Sequence, residues 1–195
     1  MKTVFVDVDT QLDFLFPAGA LYVPGAEKLV ASLKQLTEFA ARNRIPVVST
    51  ADAHTEDDAE FQSWKPHCVA GTAGQQKTAA TLVNGRVTLP TTPRALDAIP
   101  REAPQIIVEK QQLDCFTNRH LRPLLEMLAA ERYVVYGVVT ELCVRCAAFG
   151  LLETGARVEL VTDAIETLNP QTGKDTINRF REQGGVITTV AEVTS

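Results

Sequence analysis

The stretch Tyr133-Val-Val-Tyr-Gly137-Val-Val139-Thr-Glu141-Leu-Cys143-Val-Arg-Cys146-Ala-Ala-Phe-Gly-Leu-Leu-Glu-Thr154-Gly155-Ala-Arg157-Val-Glu-Leu-Val-Thr162 decides the fold. Tyr133 to Val139 is a β-branched and aromatic run, Glu141 to Thr154 carries a helical pattern, and Arg157 to Thr162 is a second strand-like run. Gly155 sits where a helix ends on a left-handed residue. A strand, a helix and a strand in succession describe a crossover unit, which makes the two strands parallel.

The alternation extends in both directions. Val4 to Val8, Pro46 to Thr50, Gln105 to Glu109 and Val186 to Val190 read as further strands buried on both faces. Helical patterns occupy Ala26 to Arg42, Leu121 to Arg132 and Pro170 to Gln183. Pro24-Gly25 precedes the first of these, Asn169-Pro170 caps the last, and Gly184-Gly185 ends it. The expectation is an α/β protein of three layers, α/β/α, with a mainly parallel sheet of about six strands. Residues 1–195 read as one domain without repeats or linkers. The span Ala51 to Pro104 is the irregular part, interrupted by Pro66, Pro90, Pro93 and Pro100, with helical periodicity only around Gln76 to Val83. A loop this long inside a compact domain is expected to be functional.

Composition narrows the classes. The 195 residues are 45% hydrophobic and 22% charged with a net charge of -5, and no run of lysine or arginine suggests a nucleic-acid surface. No segment approaches the roughly 20 apolar residues that span a bilayer, and the N-terminus lacks a signal-peptide pattern. A cytoplasmic protein with no nucleic-acid or membrane partner is expected. Cys68, Cys115, Cys143 and Cys146 then read as thiols.

In a parallel sheet, ligands bind at the carboxyl ends of the strands. Asp9 follows the first strand, Asp52 and His54 the second, Lys110 the third, and Cys143 the fourth, so the reactive side chains share one rim. Asp52 and His54 are two positions apart and can leave an extended chain on the same face. Glu60 and His67 lie in the loop beyond, and this mixed nitrogen and oxygen donor set suits zinc, iron or manganese. The alternative is an acidic loop that faces water. Cys143 is placed in the first turn of a helix, where unpaired N–H groups favour a thiolate and can receive an oxyanion. Asp9 can take its proton and Lys110 can pair with it. The bland alternative is a small buried thiol. Cys143-x-x-Cys146 also fits a redox pair, which leaves Asp9, Lys110 and the histidines without a role.

These residues resemble the isochorismatase-like cysteine hydrolases, and within them the nicotinamidases (pyrazinamidases). The matching segments are Asp9-Thr-Gln11-Leu-Asp13-Phe14, then Gly19-Ala-Leu21-Tyr-Val23-Pro24-Gly25, Lys110 after its strand, and Val138-Val139-Thr-Glu-Leu142-Cys143-Val. Asp52-x-His54 and Trp64-x-Pro66-His67-Cys68 resemble the nicotinamidase metal loop. The resemblance implies Asp9 as proton acceptor, Lys110 as its partner and Cys143 as nucleophile. It implies a cis Val138-Val139 peptide, with the Val139 and Cys143 N–H groups as oxyanion donors. It implies one divalent metal, zinc or else iron or manganese, on Asp52, His54, Glu60 and His67. Phe14, Trp64, Val138, Val139 and Leu142 would line the substrate pocket. The implied activity is hydrolysis of nicotinamide to nicotinate and ammonia through a thioester, a step of NAD salvage; subunit number stays open, a homo-oligomer included.

The segment Gln111-Gln-Leu-Asp-Cys115-Phe116 is not the small, glycine-containing run of several nicotinamidases, and Leu142 replaces a polar residue found in some. A related hydrolase acting on another small amide or a ureido acid is therefore the alternative. Phe5-Val-Asp7-Val-Asp9-Thr10 also resembles the opening of haloacid-dehalogenase-like phosphatases, with Asp7 as nucleophile and magnesium as cofactor. A non-catalytic metal-binding member of the fold is a further alternative.

Overall fold

The β-branched runs pair as one parallel sheet in the computed structural model, which describes residues 1–91 and 102–195. Its strands are β1 (Thr3–Val8), β2 (Val47–Asp52), β3 (Val87–Leu89), β4 (Gln105–Lys110), β5 (Arg132–Gly137), β6 (Arg157–Ile165) and β7 (Val186–Thr188). They lie in the order β3-β4-β2-β1-β5-β6-β7, and every pairing is parallel. Six correspond to the runs read from sequence. The seventh, β3, extends the edge beyond β4; two of its three residues are exposed, so it carries no buried run to recognise. It falls in the span read as irregular, of which residues 92–101 lie outside the described residues.

Helices cover both faces. Helices α3 (Leu121–Leu128), α4 (Arg145–Leu152) and α5 (Pro170–Glu182) pack on one side, where Val4, Val6, Val8, Val135 and Leu160 meet Leu124, Leu151 and Phe180. Helices α1 (Leu12–Leu15), α2 (Val30–Arg42) and α6 (Val190–Thr194) pack on the other, against Phe5, Val134 and Tyr136. Successive residues of β1 and β5 thus serve opposite cores, as a two-residue side-chain period requires.

Element ends follow local chemistry. The Asn169 side chain accepts from Gln171 and Thr172 N–H at 3.0 and 3.1 Å, with Pro170 in the first turn of α5. The pattern expected over Ala26 to Arg42 splits into a 3-10 turn, Ala26–Leu29, and α2. Helix α3 stops short of Arg132 because Ala129 turns left-handed at φ 44° and β5 takes over. The periodicity near Gln76 to Val83 yields only the 3-10 turn Ala79–Thr81. The run expected from Val186 to Val190 is cut at Thr188, because Thr189 and Glu192 form a capping box that starts α6. Among the described residues no helix is long and apolar enough to cross a membrane.

The strand order places the site. Leaving β1, the chain first builds outward through β2, and later returns to pair β5 on the opposite side of β1. The order therefore reverses between β1 and β5, and the crevice beyond their carboxyl ends is where such sheets bind ligands. Strand β5 ends two residues earlier than its run suggests, at Gly137, whose φ is 122°. Any Cβ there would lie 2.0 Å from the Val8 carbonyl oxygen, so only glycine lets the chain turn this close to β1. Val138 N–H then donates to Val8 at 3.0 Å, and the Val138-Val139 peptide is cis.

Gly137→Ala is expected to lower unfolding stability by about 3 kcal/mol or more, since it adds both a backbone clash and a strained φ. Urea denaturation read by circular dichroism checks this; a midpoint equal to that of the unsubstituted protein would show that β1 and β5 can separate there at little cost.

Candidate active site and metal centre

Four strand ends deliver the reactive groups to one crevice. Asp9 leaves β1 in a left-handed conformation, φ 49°, and is 1% exposed. Asp52 ends β2 and Lys110 ends β4, in register with one another. Cys143 follows β5. The helix expected to begin at Glu141 instead opens with a π turn, Thr140–Val144, before α4, so Cys143 sits in that turn and not in the first turn of a regular helix. Val144 and Leu142 N–H both donate to the Val139 carbonyl, at 3.1 and 3.0 Å. The Val139 N–H donates to no acceptor among the described residues.

Lys110 joins the groups. Its Nζ lies 2.9 Å from Asp9 Oδ2, donates to Cys143 Sγ at 3.6 Å, and donates to Asp52 Oδ1. The Asp52 contact is new to the structure, since sequence reasoning gave Asp52 to the metal alone. Burial disfavours the charged ammonium, but Asp52, Asp9 and Cys143 outweigh it and hold the Lys110 pKa well above the usual lysine range. Asp9 Oδ1 accepts from Thr50 Oγ1 at 2.5 Å, while Oδ2 accepts no directed hydrogen bond.

Burial pushes the Cys143 thiol well up, Lys110 pulls it down, and the carboxylates of Asp9 and Asp52 push it up again. Lys110, 3.6 Å from Sγ, is thus the group that favours the anionic sulfur, against burial and the two carboxylates.

Asp52, His54 and His67 bring ligand atoms within 4.8 Å of one another, all buried. Asp52 Oδ2 is 3.9 Å from His54 Nε2 and 3.8 Å from His67 Nε2. The carbonyl of Lys65 can only accept, so its 2.7 Å contact makes His67 Nδ1 the donor and leaves Nε2 a lone pair. Asp58 Oδ2, 3.0 Å from His54 Nδ1, has the same effect on His54. His54 Nε2 is then a buried acceptor with no hydrogen-bond partner. An orphaned imidazole lone pair, a second one and a carboxylate oxygen facing one point fit a divalent metal ion. Burial lowers the His54 pKa but Asp52 and Asp58 more than reverse it, whereas for His67 burial prevails and the pKa falls. Glu60 lies outside this trio and lines the adjoining cavity, its carboxyl pushed up by burial and by the charge of Asp52.

The loop bearing these ligands is tied to β1. Gln11, fully buried, donates from Nε2 to Asp52 O at 2.8 Å and accepts from Asp52 N–H at 2.7 Å. Asp13 accepts from Cys68 N–H at 2.7 Å and from Ala20 N–H at 2.9 Å, which makes it a loop staple and not a reacting acid. Rings pack around the imidazoles, with Phe61 5.2 Å from His54 and Phe14 5.4 Å from His67.

A cavity of about 400 Å3, its mouth included, opens onto both halves. Asp9, Cys143, Asp52, Glu60 and His67 line it, together with Phe14, Trp64, Val138, Val139 and Leu142. Sequence reasoning missed Leu21, Val23, Leu113 and Leu168 in its wall, and Thr50 and Asp58 behind it. Leu21 and Val23 stood in a matched segment; Leu168 is one apolar residue in a loop and gave no signal. It is held there by buried Glu141, which accepts from the N–H groups of Leu168 and Asn169 at 3.0 and 2.8 Å. Asp7 lies outside the cavity and accepts from Thr10, Ser49 and Lys77, which leaves it no role as a phosphatase nucleophile.

Residues 3–192 match the family model described as isochorismatase domain. Among curated proteins, the nicotinamidase of Saccharomyces cerevisiae is 23% identical over 94% of this chain and 95% of its own length. A protein of Arabidopsis thaliana described as a probable inactive nicotinamidase is 20% identical over 87% and 83%. Among solved structures, the pyrazinamidase of Pyrococcus horikoshii in complex with zinc superposes with a TM-score of 0.80 at 25% identity, covering 97% of this chain and 99% of that one. The N-carbamoylsarcosine amidase of Thermoplasma acidophilum has a TM-score of 0.76 at 26% identity, with 97% of each chain covered.

A lysine whose folded pKa is raised stabilises the fold fully below the pH at which an unfolded lysine titrates, about 10.4, and loses that contribution as pH rises through the folded value. In chelator, Lys110→Met is expected to cost about 3 to 5 kcal/mol at pH 7, because two buried carboxylates lose their counter-ion. The deficit relative to unsubstituted protein should be full at pH 7 and shrink only as pH rises above about 10.4. Denaturant titrations across that range test this, and a deficit below about 1 kcal/mol at pH 7 would contradict the ion-triad reading.

Proposed function

The chain belongs to the isochorismatase family, and we propose that within it the chain is a metal-dependent cysteine amidase that hydrolyses nicotinamide to nicotinate and ammonia. One observation carries the reading: Asp9 and Cys143, joined by Lys110 behind them, line the same cavity whose wall carries Asp52 and His67 of the Asp52, His54, His67 cluster.

The residues divide the work as follows. Asp9 takes the Cys143 proton as sulfur bonds to the carboxamide carbon, and Lys110 balances the charge left on Asp9. The Val139 and Cys143 N–H groups receive the tetrahedral oxyanion. Asp9 then gives the proton to the departing nitrogen, ammonia leaves, and a thioester to Cys143 remains. Water attacks the thioester with Asp9 as base, and nicotinate is released with the thiol restored. Asp52, His54 and His67 hold the metal, with Glu60 joining directly or through water; zinc is proposed, and iron or manganese suits the same donors. The bound ion supplies a Lewis-acid anchor for the ring nitrogen. Phe14 and Trp64 hold the ring so that its carboxamide meets Cys143.

The wall supports this substrate over a ureido acid. Among the described residues lining the cavity there is no lysine or arginine, and Lys110 behind it is committed to Asp9 and Asp52. A substrate carboxylate would enter a cavity already holding Asp9, Asp52 and Glu60, where the bound metal, already paired with Asp52, would be the one cation in the wall to meet it. A neutral heteroaromatic amide fits the apolar walls. The non-catalytic reading explains none of the convergence of Asp9, Lys110 and Cys143.

Purified protein is expected to release ammonia from nicotinamide, and Cys143→Ala to lose this activity while keeping its metal content. An active alanine variant would sink the thioester route. The specificity constant for nicotinamide should exceed that for N-carbamoyl amino acids by at least about 100-fold, the weight of an unpaired buried charge; a reversed preference in the coupled ammonia assay would reassign the substrate class.

A further inference from the structure

Asp58 stands apart from the matched motifs and from the reacting groups, yet its two carboxylate oxygens serve different halves of the metal loop. Oδ1 accepts from Glu60 N–H at 2.9 Å and so caps the 3-10 turn Ala59–Gln62, which carries Glu60. Oδ2 lies 3.0 Å from His54 Nδ1. The His54 side chain is wholly buried and that of Asp58 is 10% exposed. The two imidazoles are anchored differently. His67 is oriented by a backbone carbonyl, which no substitution removes, whereas His54 depends on this one side chain.

We propose that Asp58 is a positioning residue of the metal centre, which fixes the Nδ1–H tautomer of His54 and so directs the Nε2 lone pair at the ion; the inference rests on the metal reading above. Charge supports it. Asp58 adds a negative charge one hydrogen bond from His54, on the side of the ring away from the ion, where it makes Nε2 a stronger donor to a divalent cation. The orphaned His54 Nε2 is the other support, because a buried lone pair without a donor is what this tautomer leaves for a Lewis acid.

Asp58→Asn separates the two duties. If the amide oxygen caps Glu60 N–H, the amide NH2 faces Nδ1, and His54 must carry its proton on Nε2, where it blocks the ion. Asp58→Ser keeps a capping oxygen but is too short to hold the imidazole. Zinc affinity measured by chelator competition should fall about 10- to 100-fold in both variants, with thermal midpoints close to the parent. In metal-free protein, 15N chemical shifts of His54 should report protonated Nδ1 in the parent and protonated Nε2 in Asp58→Asn. A parent that binds no zinc would remove the metal reading and this inference together. A parent that binds zinc, with variants of equal affinity or an unchanged His54 tautomer, would overturn the role of Asp58 alone.

Discussion

A single ammonium between carboxylates organises this protein. Lys110 is 1% exposed, and a lysine there is tolerable only because Asp9 and Asp52 flank it. Those two residues come from β1 and β2, neighbours in the sheet, and Lys110 comes from β4 on the far side of β2. The ion triad therefore locks three strand ends in place and joins the half of the site that handles protons to the half that can hold a metal.

The second constraint is how an irregular loop is made rigid enough to present ligands. Gln11 closes a pair of hydrogen bonds around Asp52, much as an added strand residue would, and Asp13 reaches across to Cys68 N–H beside His67. Both belong to the short segment after β1 that also carries Asp9 and Phe14. One stretch of chain thus positions Asp9, Phe14 and the loop of Asp52 and His67 together. On the opposite wall, Glu141 ties the turn carrying Cys143 to the loop carrying Leu168.

Much of this was legible without coordinates because its signals are local. A run such as Val4 to Val8 is long enough to declare itself, and Asn169-Pro170 declares a helix start. Residues two positions apart at a strand end, Asp52 and His54, do point to one place. The illegible parts are short or depend on distant partners. Strand β3 has three residues and two of them face water. Thr189 looked like the continuation of a strand until its pairing with Glu192 started α6. Asp58 lies among other acidic residues, and nothing in the chain distinguishes it from Glu56 or Asp57.

The sequence by itself determined the layer architecture and which polar side chains share one rim, since periodicity, caps and strand-end positions are properties of neighbouring residues. Only the tertiary structure decided which charges meet. That Lys110 serves Asp52 as well as Asp9, and that Asp58 and not its neighbours holds His54, follow from burial and from distances, the first of them between segments far apart in the chain. Electrostatic energy in a buried site depends on those distances and on the loss of water around them, and neither quantity is written in the order of the residues.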